Sequence, residues 1–265
     1  MKKMAVVPEK EFWERIKRDA QVTCRKEPDM KALLKTMVLK HSSLAEGMAF
    51  LLGQRLGGPD QNASMIRKVC LKAFTSDPSI LKHAIRDMQA SFERDPACWS
   101  WLQPFLFFKG VAALQTYRVA HWLWKKEQKI LAFYLQSLCS QVFQVDIHPG
   151  ARLGSGILLD HAHSVVIGET SVVGDNVSML HSVTLGGNGK DTGDRHPKIG
   201  KGVLISAGAK ILGNIKIGDN ARVAASSVVL NDVPAHATVA GVPAKLIRGP
   251  SPDHPAQEMD HRVKV

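Results

Sequence analysis

Hydrophobic positions follow two different rules along this chain. From residue 9 to about residue 144 they recur at helical spacing: Phe12, Trp13 and Ile16 share one face, as do Leu33, Leu34, Met37 and Val38. Gly57-Gly58-Pro59 reads as a helix end followed by a turn. Asp77-Pro78 reads as a helix start, with Asp as the cap and Pro in the first turn, and Ile80, Leu81, Ala84, Ile85 and Met88 then line one face. Asp95-Pro96 and Gln103-Pro104 break the pattern before two further helices, expected at about 111–126 and 128–144. The aromatic residues Trp99, Trp101, Phe105, Phe107, Phe108, Trp122 and Trp124 are expected in the core or at subunit contacts rather than around a cofactor.

After Ile147 the spacing changes to six. Ile147, Leu153 and Leu159 keep this step; Ile167, Val173, Met179 and Leu185 resume it after two extra residues; Ile199, Ile205, Ile211, Ile217, Val223 and Val229 continue it. A period of six fits neither a helix nor an alternating strand. It is the mark of a hexapeptide solenoid, in which each hexad forms one side of a triangular coil. The aliphatic residue points into the prism, and the small residue that often follows it (Gly154, Gly168, Gly174, Gly186, Gly200, Gly218, Ala224) is expected to let the chain turn the corner. Leaving out the irregular segment 186–198 (GGNGKDTGDRHPK), the span 147–234 accommodates about four coils of about 18 residues. That segment reads as a loop leaving a corner, a common place for function.

Composition narrows the classes. Lys and Arg number 35 against 24 Asp and Glu, a formal net charge of +11. These charges are scattered, with no basic stripe and no interleaved aromatics, so nucleic acid is not the expected partner; a phosphate-bearing small ligand accounts for part of the excess. No apolar run reaches the roughly 18 residues of a membrane span, and the stretch 130–145 is interrupted by Gln136, Ser137, Ser140, Gln141 and Gln144. The first ten residues are charged and lack the apolar segment of a signal peptide. Cys24, Cys70, Cys98 and Cys139 lie far apart, as expected for reduced, mostly buried thiols of a cytoplasmic protein.

A solenoid of this kind has no deep internal cavity, so its chemistry belongs on the outer faces or between subunits. The candidate groups are Asp146-Ile147-His148, Asp160-His161-Ala162-His163, His181 and Asp194-Arg195-His196. Asp146 and His161 are 15 residues apart, close to one coil, a spacing that allows neighbouring coils near one corner. An imidazole backed by a carboxylate suits acyl transfer to an alcohol, because the hydroxyl needs a base in the transition state. His148, His163 and His181 are read first as solitary exposed histidines. A zinc site made by His161, His163 and His181 is the metal alternative, but it leaves the Arg195-His196 loop without a task.

The strings FQVDIHPGARLGSGILLDHAHSVVIGET, VTLGGNGKDTGDRHPKIGKGVLISAGAKILGNIKIG and AGVPAKLI resemble serine O-acetyltransferases, as do RDPA at 94–97 and FFKGVAALQTYRVAHWLW at 107–124. DRHPKI after an interrupted hexapeptide repeat is the most specific of these. The resemblance implies an α+β fold: an N-terminal α-helical oligomerisation domain (1–144) and a left-handed parallel β-helix of hexapeptide repeats (145–247, with the loop 186–198). The remaining tail (248–265), with three prolines and little hydrophobicity, is expected to be flexible. It implies trimers with active sites between subunits, and two trimers joined as a hexamer. Acetyl-CoA enters as a co-substrate, with no permanently bound cofactor and no metal.

By motif, the resemblance makes His161 the general base and Asp146 the residue that orients it. Asp95 and Asp160 hold the serine ammonium, Arg195 pairs with the serine carboxylate, and His196 stands near the reacting centre. Gly187, Ala207 and Gly208 present backbone groups to the pantetheine arm. L-cysteine is implied as a feedback inhibitor, and cysteine synthase as a partner of the C-terminal tail. Two departures stand out. Asp160-His161-Ala162-His163-Ser164 occupies the place where the family commonly reads DHATG, and the chain ends in Val265 rather than isoleucine. The alternatives are a hexapeptide acetyltransferase for another hydroxyl, such as homoserine or a sugar, and a non-catalytic scaffold for cysteine synthase. The carboxylates opposite Arg195 favour an amino-acid acceptor, and the intact His161 and Asp146 favour catalysis.

Overall fold

A computed structural model describes residues 7–58, 62–250 and 254–261. The helical half comprises α1 (Glu9–Lys26), α2 (Lys31–Leu34, running into a π-helical turn Lys35–Leu39), α3 (Leu44–Leu56), α4 (Asn62–Ser76) and α5 (Ser79–Arg94). It continues through α6 (Leu102–Leu106), α7 (Lys109–Lys125) and α8 (Lys129–Phe143). α5 starts where the Asp-Pro pair placed it: the Asp77 carboxylate accepts the Ser79 N–H at 3.1 Å and satisfies one orphan donor of the first turn. Its apolar face, with Ile80, Leu81, Ala84, Ile85 and Met88, is buried as the spacing predicts. Of the aromatics, Trp101, Phe105 and Trp122 are buried, and Phe92 stacks on Trp101 at 4.1 Å. Trp99 and Phe107 stand exposed.

The second half is a parallel β-helix with three faces. One stacks β1 (Val145–Ile147), β4 (Val165–Ile167), β7 (Thr184–Gly186), β10 (Lys210–Leu212) and β13 (Val228–Val229). The second stacks β2 (Arg152–Leu153), β5 (Val172–Val173), β8 (Lys198–Ile199) and β11 (Lys216–Ile217). The third stacks β3 (Leu158–Leu159), β6 (Ser178–Met179), β9 (Leu204–Ile205), β12 (Arg222–Val223) and β14 (Thr238–Gly241), and ends in the antiparallel β15 (Ala244–Arg248). The hexad residues pair with one another across coils: Ile147 with Ile167, Ile167 with Leu185, Leu185 with Ile211 and Ile211 with Val229. Each burial of such a side chain contributes about 1.5–3 kcal/mol, and stacking aligns all of them in one column.

Two expectations are corrected. The coils number about five rather than four, because the last turn continues beyond residue 234 into β14, which the hexad count left out. The small residue after each aliphatic one is not the left-handed corner residue. Gly174 is small because the neighbouring coil is close: a Cβ there would lie 2.8 Å from the Gly200 carbonyl carbon. The left-handed conformations fall two residues later, at Gly156, Asn176, Gly202 and Asn220.

The halves are joined by a buried polar seam. Arg118 on α7 donates to Asp87 on α5 at 2.7 Å and to the Gly154 carbonyl at 2.9 Å, and Asp87 also accepts the Ile157 N–H at 3.0 Å. Tyr117 donates to the Ala151 carbonyl at 2.5 Å. Within the stretch expected to be a flexible tail, the described residues 254–261 include a short helix, α9 (Pro255–Glu258), with Pro255 and Ala256 buried. The Ala256 carbonyl accepts from Ser178 Oγ at 2.7 Å, and Ser178 in turn accepts from Arg94 at 3.1 Å. Val265 lies outside the described residues.

Candidate active site

The first cluster forms where α5 ends. Asp95 follows its last turn, and the Asp95 carboxylate accepts the Ala97 N–H at 2.8 Å, an Asx turn that fixes the chain reversal. Gln103 holds the next residues by accepting the N–H groups of Trp99 and Ser100 at 2.7 and 3.0 Å. Across a pocket of about 370 Å³ stand Asp160 and His161, on the turn between β3 and β4. Phe107, Lys109 and Leu159 contribute to the same walls. His161 is presented outward, with its side chain 72% exposed and Nε2 4.0 Å from the Asp160 carboxylate.

The second cluster lies on another part of the prism. Arg195 donates to Glu169 at 2.8 Å and to the Gly193 carbonyl at 3.0 Å. The Arg195 hydrogen bond holds the Glu169 carboxyl below its usual range. Thr170 anchors the loop: its hydroxyl accepts the backbone N–H groups of Arg195 and His196, both at 3.0 Å, and donates to His196 Nδ1 at 2.9 Å. The Thr170 N–H reaches the same Nδ1 at 3.2 Å, so Nδ1 is an acceptor and the ring proton sits on Nε2. Burial, and then the Arg195 charge, lower the His196 pKa and keep the ring neutral. This leaves His196 Nε2–H as a neutral donor, the form suited to polarising a carbonyl.

Asp146 does not meet His161 within the protomer. Asp146 pairs in register with Val166, five residues beyond His161, and its carboxylate accepts from Gln136 at 2.6 Å. The separation of 15 residues between Asp146 and His161 is short of a full coil. The two extra residues between Leu159 and Ile167, which make this coil 20 residues long, widen the offset and put His161 on a projecting turn. Gly187 lies beside Arg195, whereas Ala207 and Gly208 lie on a ladder edge one coil above His181, with the Gly208 N–H donating to the His181 carbonyl at 3.0 Å.

The other histidines are not solitary. His148 accepts the Gly150 N–H and packs edge-on against Trp124 and Phe133 at 5.1 and 5.4 Å. His163 stacks on His181 at 4.9 Å with an interplanar angle of 12°, so the rings lie face to face. Among the described residues no three His, Cys, Asp or Glu side chains are grouped as metal ligands are. All four cysteines are free, and Cys70, Cys98 and Cys139 are buried.

Two carboxylates and an exposed imidazole in one pocket, with a guanidinium and a neutral imidazole donor on a second surface, match the needs of acyl transfer to a zwitterionic alcohol. Comparison with known proteins decides the lineage. Residues 12–116 match the family described as serine acetyltransferase, N-terminal, and residues 196–231 match the bacterial transferase hexapeptide (six repeats). A serine acetyltransferase of Salmonella typhimurium is 48% identical over 248 residues, covering 94% of this chain and 91% of its own. The chain belongs to the serine acetyltransferase family.

Two solved members are informative. A serine acetyltransferase in complex with cysteine superimposes with a TM-score of 0.93 at 45% identity, covering 96% of this chain and 99% of its own. One from Brucella abortus in complex with coenzyme A gives a TM-score of 0.88 at 49% identity, covering 91% and 96%. This chain is thus an acyltransferase with the helical and β-helical halves of its family. Three residues of the two clusters were not singled out from the sequence: Lys109, Glu169 and Thr170. Each stood inside a quoted string, in FFKG or IGET, but its task is visible only once Asp95 or Arg195 has a neighbour.

Proposed function

We propose that this enzyme transfers the acetyl group of acetyl-CoA to the hydroxyl of L-serine, giving O-acetylserine and CoA for cysteine biosynthesis in the cytoplasm. The observation that carries the reading is the pocket shared by Asp95, Asp160 and His161. Its carboxylates suit an ammonium group, and His161 takes the proton from the serine oxygen as that oxygen attacks the thioester carbonyl. The tetrahedral intermediate collapses, the C–S bond breaks, and the imidazolium returns its proton to the departing thiolate. His196 Nε2–H stabilises the oxyanion, and Arg195 receives the serine carboxylate bidentately. Gly187, Ala207 and Gly208 line the path of the pantetheine arm.

The division of these groups between two surfaces supports a trimer in which the pocket of one protomer faces the Asp146, Arg195 and His196 cluster of the next. His161 then gains Asp146 as its orienting carboxylate. Exposed apolar side chains on the first face and on α8 (Val166, Leu230, Phe133 and Val142) suit such a contact, and a pair of trimers joined through the helical halves makes the hexamer. L-cysteine, which differs from serine by one atom, occupies the same pocket and competes. Cysteine synthase docks on the C-terminal tail, in which Val265 has a β-branched side chain.

A thiol-release assay with acetyl-CoA and L-serine, L-homoserine and a galactoside as acceptors tests the reading. L-Serine is expected to be strongly preferred, with cysteine inhibition relieved by saturating serine. A preference for homoserine or the sugar replaces the proposed acceptor.

A further inference from the structure

The turn that carries His161 is locally unfavourable. His161, Ala162 and Ser164 have φ values of 55°, 60° and 59°, a conformation that L-residues other than glycine adopt reluctantly. Three such residues in four positions persist only if the surroundings hold them. Ser164 stands where the family pattern carries glycine, so this chain bears a strain there that a glycine would not.

Register shows what holds the turn. The step from Leu159 to Ile167 is eight residues, whereas the matching step one coil later, from Met179 to Leu185, is six. The backbone bond from Ser182 N–H to the His163 carbonyl, at 2.8 Å, brings residues 163–164 into line with 181–182. His161 and Ala162 are therefore the two extra residues, a bulge, and His163 is the first residue to rejoin the stack.

At that point the side chains join as well. The His163 ring lies on the His181 ring at 4.9 Å and 12°, and His181 in turn meets His161 edge-on at 6.1 Å and 75°. The His161 ring also stands 4.0 Å from the Asp160 carboxylate. The ladder from His163 through His181 to His161 thus joins the projecting imidazole to the body of the solenoid.

We infer that His163 is a positioning residue: by stacking on His181 it clamps the foot of the bulge and fixes the direction in which His161 is presented. The ring surface of His163 does this, not its protonation, and the clamp offsets the strain at Ser164. The inference rests on His161 being the base of the reaction proposed above.

The test compares His163→Gln, which keeps polarity but loses the ring, with His163→Phe, which keeps the ring but cannot titrate. His163→Gln is expected to lower kcat about tenfold, because a displaced base is costly. Its KM for acetyl-CoA should stay within about twofold of the wild-type value, since the clamp acts on the base alone. His163→Phe is expected to keep kcat within about twofold of wild type. Adding Ser164→Gly to His163→Gln relieves the strain that the clamp offsets and should restore most of the lost kcat. Crystal structures of the variants read the placement of His161 with no substrate involved: displaced in the Gln variant, native in the Phe variant. A wild-type enzyme inactive on L-serine would sink the proposed function but leave these structures decisive. Wild-type kcat in His163→Gln, a His163→Phe enzyme as impaired as the Gln variant, or an undisplaced His161 ring in the Gln crystal overturns the inference.

Discussion

Arg195 and Glu169 form an ion pair at 2.8 Å, so the guanidinium read from the sequence as a partner for a substrate carboxylate already has one in the protein. Glu169 and the Gly193 carbonyl each take one N–H of the fork and leave the others for the ligand. An ammonium cannot reproduce two parallel hydrogen bonds. Arg195→Lys is therefore expected to raise the KM for L-serine by about tenfold or more, with a smaller effect on kcat. L-Serine methyl ester should be a poor substrate of the unaltered enzyme. Equal turnover of the ester and the free amino acid in steady-state assays would remove Arg195 from this role.

His161→Ala should lower kcat by about 10²–10⁴-fold, the range for loss of a general base. Affinity for acetyl-CoA should change little, because the imidazole faces the acceptor pocket. Turnover kept above about a tenth of wild type would mean that another group takes the proton.

Gly168 tests the second cluster without touching a polar group. A Cβ on Gly168 would lie 2.0 Å from His196 Nε2, so Gly168→Ala has to push the imidazole away. The backbone of β4 and the buried Ile167 are unaffected, and the fold should survive. The expected result is a kcat reduced at least about tenfold with a nearly native circular dichroism spectrum, since a donor aimed at the oxyanion is displaced. A fully active Gly168→Ala enzyme would show that His196 need not sit where it does.

Asp87 tests the joint between the halves. Its carboxylate receives Gln115, Arg118 and the Ile157 N–H in a buried site. Removing one partner of a buried ion pair leaves the other charge uncompensated, at a cost of about 3–5 kcal/mol. Asp87→Ala should lower the denaturant midpoint accordingly. A loss below about 1 kcal/mol would mean that the seam is not buried in solution.

Acid should weaken the fold before the carboxylates titrate. Burial lowers the pKa of His83, His121, His148 and His196 from the ordinary value of 6.5. The unfolded chain, titrating near 6.5, then binds more protons than the folded one just below that pH, and stability falls as pH drops. The melting temperature is expected to be level above about pH 7 and to decline between about pH 6.5 and 5.5. His121→Asn, which keeps a donor for the Pro149 carbonyl now 2.7 Å from His121 Nδ1, should flatten that decline. A melting temperature constant across this window would exclude a net contribution from these rings.

The fold was legible because its signals are local and repeated. A hexad of Ile, Leu and Val recurs in the chain, and each coil presents the same demand to the next, so period alone specifies parallel stacking. The Asp-Pro start of α5 and the extents of α7 and α8 were readable for the same reason: capping and helical periodicity involve residues a few positions apart. The ingredients of the site, from Asp95 to His196, were also visible as residue types in recognisable strings. Their grouping was not. The two-residue bulge moves His161 away from Asp146, and whether a bulge is absorbed or projected depends on the coil above it. Glu169 reaches Arg195 across 26 positions, and His163 finds His181 across 18, separations that carry no local pattern. Sequence determined the coil and the chemistry available to it. Only the packing of one coil on the next decided which side chains face each other, because those contacts depend on register between distant segments rather than on the residues beside them.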